Sequence, residues 1–210
     1  MSLLAPMKLG VFGGAFDPPH AAHVALVQAA IAQLQLDQVR VLPTGEAWHK
    51  KRGLSQSPHR QAMARLAFEV VPHVLVDNRE IKRQGPSYTV DTLRELKAQF
   101  PQAQLYLLLG DDQRRSLPSW HQIDEIARLA IICAAGRDAA VQAWSDSSTG
   151  TPPAALDHSF DACIQSLKMP LMPHSATDIR ALVATDQSIE GLVPPAVERY
   201  IHEHHLYRPH

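Results

Sequence analysis

Apolar positions along the chain change period at regular intervals, and the changes predict strands alternating with helices. Lys8 to Phe12 (KLGVF) is a short apolar run ending on Gly13-Gly14, which predicts a buried strand. From His20 to Leu34 the period becomes helical, with Val24, Leu26, Val27, Ile31 and Leu34 on the apolar side. Gln38 to Leu42 (QVRVL) predicts a second strand, closed by Pro43. Strand, glycine turn, helix, strand is a βαβ unit, and it calls for a parallel sheet.

The same alternation continues downstream. A polar loop covers Thr44 to Ser57, and Ser57-Pro58 supplies an N-cap and a proline for a helix reaching about Val70. Val74 to Val76 predicts a strand, Arg79 to Pro86 a loop or edge strand, and Ser87 or Thr89 the cap of a helix running to Phe100. Leu105 to Leu109 (LYLLL) is the most apolar run and predicts the sheet centre. A helix at Ile123 to Arg128 leads into a strand at Leu129 to Ala134. Residues 138–165 carry the weakest pattern, with a turn-rich stretch at Ser145 to Pro153. Leu167 to Met172 predicts a last strand. Ser175 and Asp178 have capping-box spacing ahead of a helix to Ala184, and Pro194-Pro195 opens a terminal helix to His205. The fold class expected is α/β: a doubly wound, Rossmann-like, mostly parallel sheet with helices on both faces. One domain is expected over 1–210, its C-terminal helical part from about 173.

Composition narrows the function classes. The 210 residues are 45% hydrophobic and 20% charged, as in an ordinary globular domain with a real core. The formal net charge is −1, so no bulk positive field draws in nucleic acid, and an anion site has to be local. No run of about 18 apolar residues exists, and Met1 to Leu9 is too short and too weakly apolar for a signal peptide. The expected location is the cytoplasm, with neither membrane nor nucleic acid as partner. Cys133 and Cys163 form no CxxC pair and have apolar neighbours, which predicts buried reduced thiols. The sequence is compatible with a homo-oligomer.

The candidate chemistry lies directly after the first strand. Gly13-Gly14 lets the backbone approach a phosphate with no Cβ between them. Neither a GxGxxG fingerprint nor a GxxxxGK[ST] loop follows; Asp17-Pro18-Pro19-His20 and His23 do. Two histidines three apart at a helix start offer N–H donors where anions are favoured. Taken alone, an HxxH pair reads first as solvated or structural, or as part of a metal site. Zinc, however, needs three or four ligands, and no cysteine or cluster of acids lies nearby.

In its full context, Gly13 to His23 (GGAFDPPHAAH) resembles the GGxFDPxHxGH signature of the nucleotidylyltransferase superfamily, with Ala22 where the pattern has glycine. That resemblance implies ATP contacts from Gly13, Gly14, Ala15, Phe16, Asp17, His20 and His23, with His20 on the phosphates and His23 assisting. Further blocks resemble one branch, the bacterial nicotinate-mononucleotide adenylyltransferases. Ser87-Tyr88-Thr89-Val90-Asp91-Thr92-Leu93 is similar to SYTxDTL, Leu109-Gly110-Asp111-Asp112 to LGxD, and Ser175 to Arg180 to S-x-T-x-I-R. Trp120 stands at about the family's spacing, and Val193-Pro194, Tyr200-Ile201 and Leu206-Tyr207 also fit. The matches run from residue 11 to residue 207, and only Asp138 to Leu167 has no counterpart.

By resemblance, Gly110, Asp112, Arg137, Ser175, Thr177 and Arg180 join the ATP site. Phe16, His49, Lys50, Tyr88, Thr89, Trp120 and His121 make the mononucleotide site. Tyr88 and Trp120 read first as core aromatics, and Arg180 as a surface arginine; the resemblance instead implies that Trp120 stacks on a pyridine ring. Amides near Thr89 and His121 would meet a nicotinate carboxylate, which favours nicotinate over nicotinamide. The family's PPHK-like loop is Glu46-Ala47-Trp48-His49-Lys50 here, with His49 and Lys50 kept and the prolines missing.

The reaction implied joins nicotinate mononucleotide and ATP into nicotinate adenine dinucleotide, with release of pyrophosphate. His20, His23, Lys50 and Arg180 are the candidates for charge stabilisation, and Mg2+ arrives on the ATP phosphates. Asp17 and Asp112 can touch that metal or the ribose. Rival readings are a pantetheine-phosphate or glycerol-phosphate nucleotidyltransferase, a non-catalytic nucleotide-binding protein, and a metal-binding protein using some of the 12 histidines.

Overall fold

Six strands form one sheet: β1 (Lys8–Gly14), β2 (Gln38–Pro43), β3 (Val74–Val76), β4 (Gln104–Leu109), β5 (Ala130–Gly136) and β6 (Ile164–Lys168). They lie in the order β3-β2-β1-β4-β5-β6, and every pairing is parallel. The computed structural model describes residues 5–45, 54–136, 164–170, 172 and 174–208. The helices are α1 (Ala21–Leu34), α2 (Ser57–Phe68), α3 (Arg79–Lys82), α4 (Thr89–Gln99), α5 (Asp111–Ser116), α6 (Ile123–Leu129), α7 (Ala176–Ala184) and α8 (Pro195–Glu203). A 3-10 turn, Leu117–Ser119, joins α5 to the approach of α6.

Both sheet faces are covered, which explains the continuous apolar run of β4. Leu105, Leu107 and Leu109 point to one core, with Val90, Leu93 and Leu96 of α4 and Ile126 of α6. Tyr106 and Leu108 point to the other, with Leu26, Val27 and Ala30 of α1 and Met63, Ala67 and Phe68 of α2. Ile179 and Val183 of α7 and Val197 and Ile201 of α8 close that second core. The expected doubly wound sheet is thus the observed one.

Several elements differ from expectation, each for a local reason. β1 runs through both glycines to Gly14, because Gly13 and Gly14 still pair with Leu42 and Pro43 of β2. Arg79–Lys82 is a short helix rather than a loop or edge strand. Asp77 Oδ1 accepts the Arg79 N–H at 3.0 Å, and Glu80 is buried behind it. α5 was not expected, since Asp111–Ser116 is polar and shows no apolar period. The last strand is Ile164–Lys168, not Leu167 to Met172. The Gln33 amide pairs with both backbone groups of Lys168, at 2.7 and 3.0 Å, and Pro170 lacks the N–H to continue the ladder. Cys133 is buried as expected, its thiol pushed up by burial to about 12, which keeps it protonated and inert. Cys163 and the weak stretch as far as residue 163 lie outside the described residues, and its last two positions, Ile164 and Gln165, open β6.

In sequence the chain moves from β1 outward to β3, then returns to place β4 on the other side of β1. That reversal opens a crevice beyond the carboxyl ends of β1 and β4, the usual ligand position in such sheets. Gly13-Gly14 ends β1 there, and Gly110 follows β4.

Candidate active site

The crevice is lined by glycines with room in front of them. A Cβ built on Gly13 or on Gly110 would meet nothing within 4 Å, so at both strand ends the missing side chain leaves open space. Gly14 is glycine for another reason: its Cβ would stand 2.9 Å from the Phe16 ring. The Gly13→Ala variant should keep its stability, because the methyl meets no atom, while ATP affinity should fall about tenfold if this open space receives a phosphate, as the sequence resemblance implies. Thermal melting and calorimetric ATP titration check the two halves; an unchanged affinity would remove Gly13 from the site.

Beyond Gly14 the chain turns sharply. Phe16 has φ of 48° and is only 2% exposed, its ring packed edge-on to Phe12, Phe68 and His23, each at 5.3 Å between centroids. Its ring belongs to the core, which leaves its backbone as the part next to the crevice. His20 is the N-cap of α1 and is 8% exposed. Its ring stacks on His23 with centroids 3.7 Å apart and planes 24° apart. The His20 N–H donates to His23 Nδ1 at 3.1 Å. With Nδ1 accepting, the proton of His23 resides on Nε2, so His23 presents an N–H donor on its far side without carrying a charge.

Asp17 is 2% exposed, and its carboxylate is held from within the protein. Oδ1 accepts the Tyr207 hydroxyl at 2.7 Å, and Oδ2 accepts the Ser55 N–H at 3.1 Å. Burial alone would raise its pKa, but the hydrogen bonds from Ser55 and Tyr207 and the Arg180 charge hold it below the usual carboxylate value. Arg180 reaches the same loop from α7, its Nη1 donating to the Asp17 carbonyl at 2.6 Å and its Nη2 to Thr177 Oγ1 at 3.0 Å. The loop and the late arginine, 163 positions apart in sequence, are thereby brought together. Ser175 forms the expected capping box: its N–H meets Asp178 Oδ2 at 2.8 Å, and its Oγ receives the Asp178 N–H at 3.2 Å.

Two further residues organise this end of the sheet, and neither was singled out from sequence. Arg60 is 2% exposed, and its guanidinium spans both loops. It donates to the carbonyls of Ala15 (3.1 Å), Thr44 (2.7 Å), Gly45 (3.4 Å) and Ser55 (2.9 Å). Its signal was present: Arg60 stands in one buried stripe with Met63, Ala64 and Ala67, the spacing of a core-facing helix side. Glu80 is 6% exposed and accepts the Thr92 hydroxyl at 2.8 Å. Its backbone carbonyl lies so close to Gly45 that a Cβ there would collide with it.

Burial raises the Glu80 carboxyl to about 7, against partial compensation from Thr92 and the Arg83 charge. A carboxyl raised in the folded state favours folding while it holds its proton, so that stability is present below about pH 4.5 and is lost as pH rises towards about 7. Glu80→Gln keeps an acceptor for Thr92 and removes the titration. Urea unfolding across that pH range should show a flatter profile, with the variant about 1–3 kcal/mol more stable at pH 8. A wild-type slope retained by the variant would contradict this.

The residues expected for the mononucleotide lie at the start of α4 and after the 3-10 turn. Tyr88 caps α4, Thr89 is its first residue, and the Tyr88 ring lies 4.4 Å from the His121 ring. Trp120 follows the 3-10 turn, half-buried, with Nε1 donating to Ser116 Oγ at 3.3 Å. Tyr88 and Trp120 both rest on the edge of the α4 core, so each is a core-edge aromatic with part of its ring accessible. His49, Lys50 and Arg137, and the side chain of Asp112, lie outside the described residues.

A family model described as cytidylyltransferase-like matches residues 11–182. The chain is 55% identical over 201 residues to a probable nicotinate-nucleotide adenylyltransferase of Albidiferax ferrireducens, covering 96% of this chain and 98% of that protein. It is 38% identical over 221 residues to one named in the same way from Chromobacterium violaceum, covering 96% and 99%. Among solved structures, the Plasmodium falciparum nicotinic acid mononucleotide adenylyltransferase complexed with NaAD has a similar fold, with TM-score 0.70, 18% identity and coverage of 96% and 97%. Sheet order, glycine crevice, histidine pair and full-length relatives agree, and the chain belongs to the nicotinate-nucleotide adenylyltransferase family of the cytidylyltransferase-like proteins.

Proposed function

We propose that this protein transfers the adenylyl group of ATP to nicotinate mononucleotide, giving nicotinate adenine dinucleotide and pyrophosphate in the synthesis of NAD. The observation that carries the reading is the joining of two distant motifs: the stacked His20 and His23 at the start of α1, and Arg180 bonded to the Asp17 carbonyl of the loop that leads into it. The acceptor phosphate oxygen attacks the α-phosphorus, and the bond to the pyrophosphate oxygen breaks. A phosphate nucleophile is already ionised at neutral pH, so no general base is needed. Rate then depends on alignment and on donors to the charged oxygens.

His20 and the Nε2–H of His23 serve the triphosphate, and Arg180 and the start of α7 add donors from the other side. Lys50 and His49 serve the acceptor phosphate, and Arg137 the adenylate. Tyr88, Thr89, Trp120 and His121 form the pyridine end, with Trp120 as the stacking platform. Asp17 acts on the loop rather than on a ligand, since both of its oxygens accept bonds from Tyr207 and Ser55.

Magnesium belongs to the substrate in this account. A hard cation wants several oxygen ligands. Among the described residues no group of three or more His, Cys, Asp or Glu is placed to hold a metal ion. Among them, too, no helix is long and apolar enough to cross a membrane. We place the enzyme in the cytoplasm, with its nucleotide substrates.

Labelled ATP tests the bond that breaks. Label at the α-phosphorus should appear in the dinucleotide, and label at the γ-phosphorus in pyrophosphate. α-Label found in pyrophosphate, or in no product, would contradict adenylyl transfer.

A further inference from the structure

The loop that carries His20 is held by a residue 190 positions away, close to the C-terminus. We propose that Tyr207 is a positioning residue for adenylyl transfer, its hydroxyl fixing Asp17 and, through Asp17, the placement of His20. This rests on the adenylyltransferase reading above.

Four observations carry it. The Tyr207 hydroxyl donates to Asp17 Oδ1 at 2.7 Å, and no water-exposed route competes, since Asp17 is 2% exposed. The backbone is bent into the left-handed region on both sides of this contact: φ is 48° at Phe16, and 49° and 67° at His205 and Tyr207. Side-chain-bearing residues adopt such angles uncommonly. Asp17 is joined to His20 through Pro18-Pro19, whose φ angles are locked by their rings, so a displacement of Asp17 passes on to His20 with little slack. Finally, the phenol is held protonated by burial and by the Asp17 charge, so it stays a donor over the working pH range.

The distinction from a purely structural anchor lies in the chemistry. A reaction without a general base depends on alignment, and small misplacements of an aligning group lower turnover steeply. Tyr207 is therefore expected to affect kcat more than ATP binding.

Tyr207→Phe tests this, because the ring and its packing remain. Tyr200→Phe is the control: it removes another hydroxyl from the C-terminal region, one bonded to His59 Nδ1 at 3.0 Å. Rates are compared below the melting temperature of each variant, and amide exchange is followed over residues 15–20. In Tyr207→Phe, kcat should fall about tenfold with KM for ATP changed less than about threefold, and exchange over the loop should quicken about tenfold. Tyr200→Phe should match the wild type in both.

Faster exchange with normal kcat would make Tyr207 an anchor only and overturn the inference. Lower kcat with unchanged exchange would do so too, since the loss would not pass through the loop. A wild-type protein without turnover would instead sink the adenylyltransferase reading and the catalytic half of this proposal with it, and exchange would still decide whether Tyr207 fixes the loop.

Discussion

His20→Ala should lower kcat by about a hundredfold or more, the scale for losing a donor that acts on charge in the transition state. The backbone contacts of His20 survive the change. The bond that sets the His23 tautomer comes from the backbone N–H of His20, so it survives the change, and His23 still presents Nε2–H. At the helix start the bond from the Ala21 N–H to the Leu192 carbonyl at 2.8 Å remains, while the capping contact of the His20 side chain is lost. What disappears is the imidazole stacked 3.7 Å from His23. KM for ATP should rise much less than kcat falls, as expected when an interaction strengthens in the transition state. Initial rates at saturating ATP and acceptor give the answer, and near-normal turnover would take His20 out of its role.

Arg60→Met is expected to have the largest effect on stability, about 3–5 kcal/mol. Methionine fills much of the same space beside Met63, so lost packing is not the main cost. The guanidinium serves four carbonyls on three segments: Ala15 after β1, Thr44 and Gly45 after β2, and Ser55 before α2. Its removal leaves buried acceptors without a donor and takes a positive charge from the neighbourhood of the buried Asp17. Burial lowers the Arg60 pKa, opposed by the Asp17 charge, and the group remains a cation at any ordinary pH. Urea midpoints at constant m-value measure the loss. A change below about 1 kcal/mol would mean that water replaces the guanidinium easily, contrary to its burial.

The sequence was most legible where pattern and chemistry coincide. Lys8 to Leu42 shows a strand run, a helical period and a second run, and each survives within about two residues because both sheet faces are buried. The Ser175 cap was readable because its bonds close over three residues. Legibility faded where structure depends on distant partners. α3 is held on its buried side by the bond from the Thr92 hydroxyl to Glu80, 12 residues apart, a contact that leaves no periodic trace. β6 is set by the Gln33 amide, 135 residues upstream.

The site divides in the same way. His20, His23 and the glycines announce themselves by order along the chain. Arg180 reads as a surface arginine until its bond to the Asp17 carbonyl is seen. Asp17 reads as a ligand-facing acid until Tyr207 and Ser55 are found on its two oxygens. Arg60 was the avoidable omission, because a charged residue within a buried helical stripe is itself a signal of carbonyl or carboxylate partners.

Adenylyl transfer to nicotinate mononucleotide liberates pyrophosphate from ATP, and that release can be followed continuously. Purified protein is supplied with nicotinate mononucleotide, nicotinamide mononucleotide or phosphopantetheine as acceptor. The account predicts rapid release with nicotinate mononucleotide, at least about tenfold slower release with the nicotinamide form, and none with phosphopantetheine. Release that depends on phosphopantetheine, or no release with either pyridine mononucleotide, would contradict it.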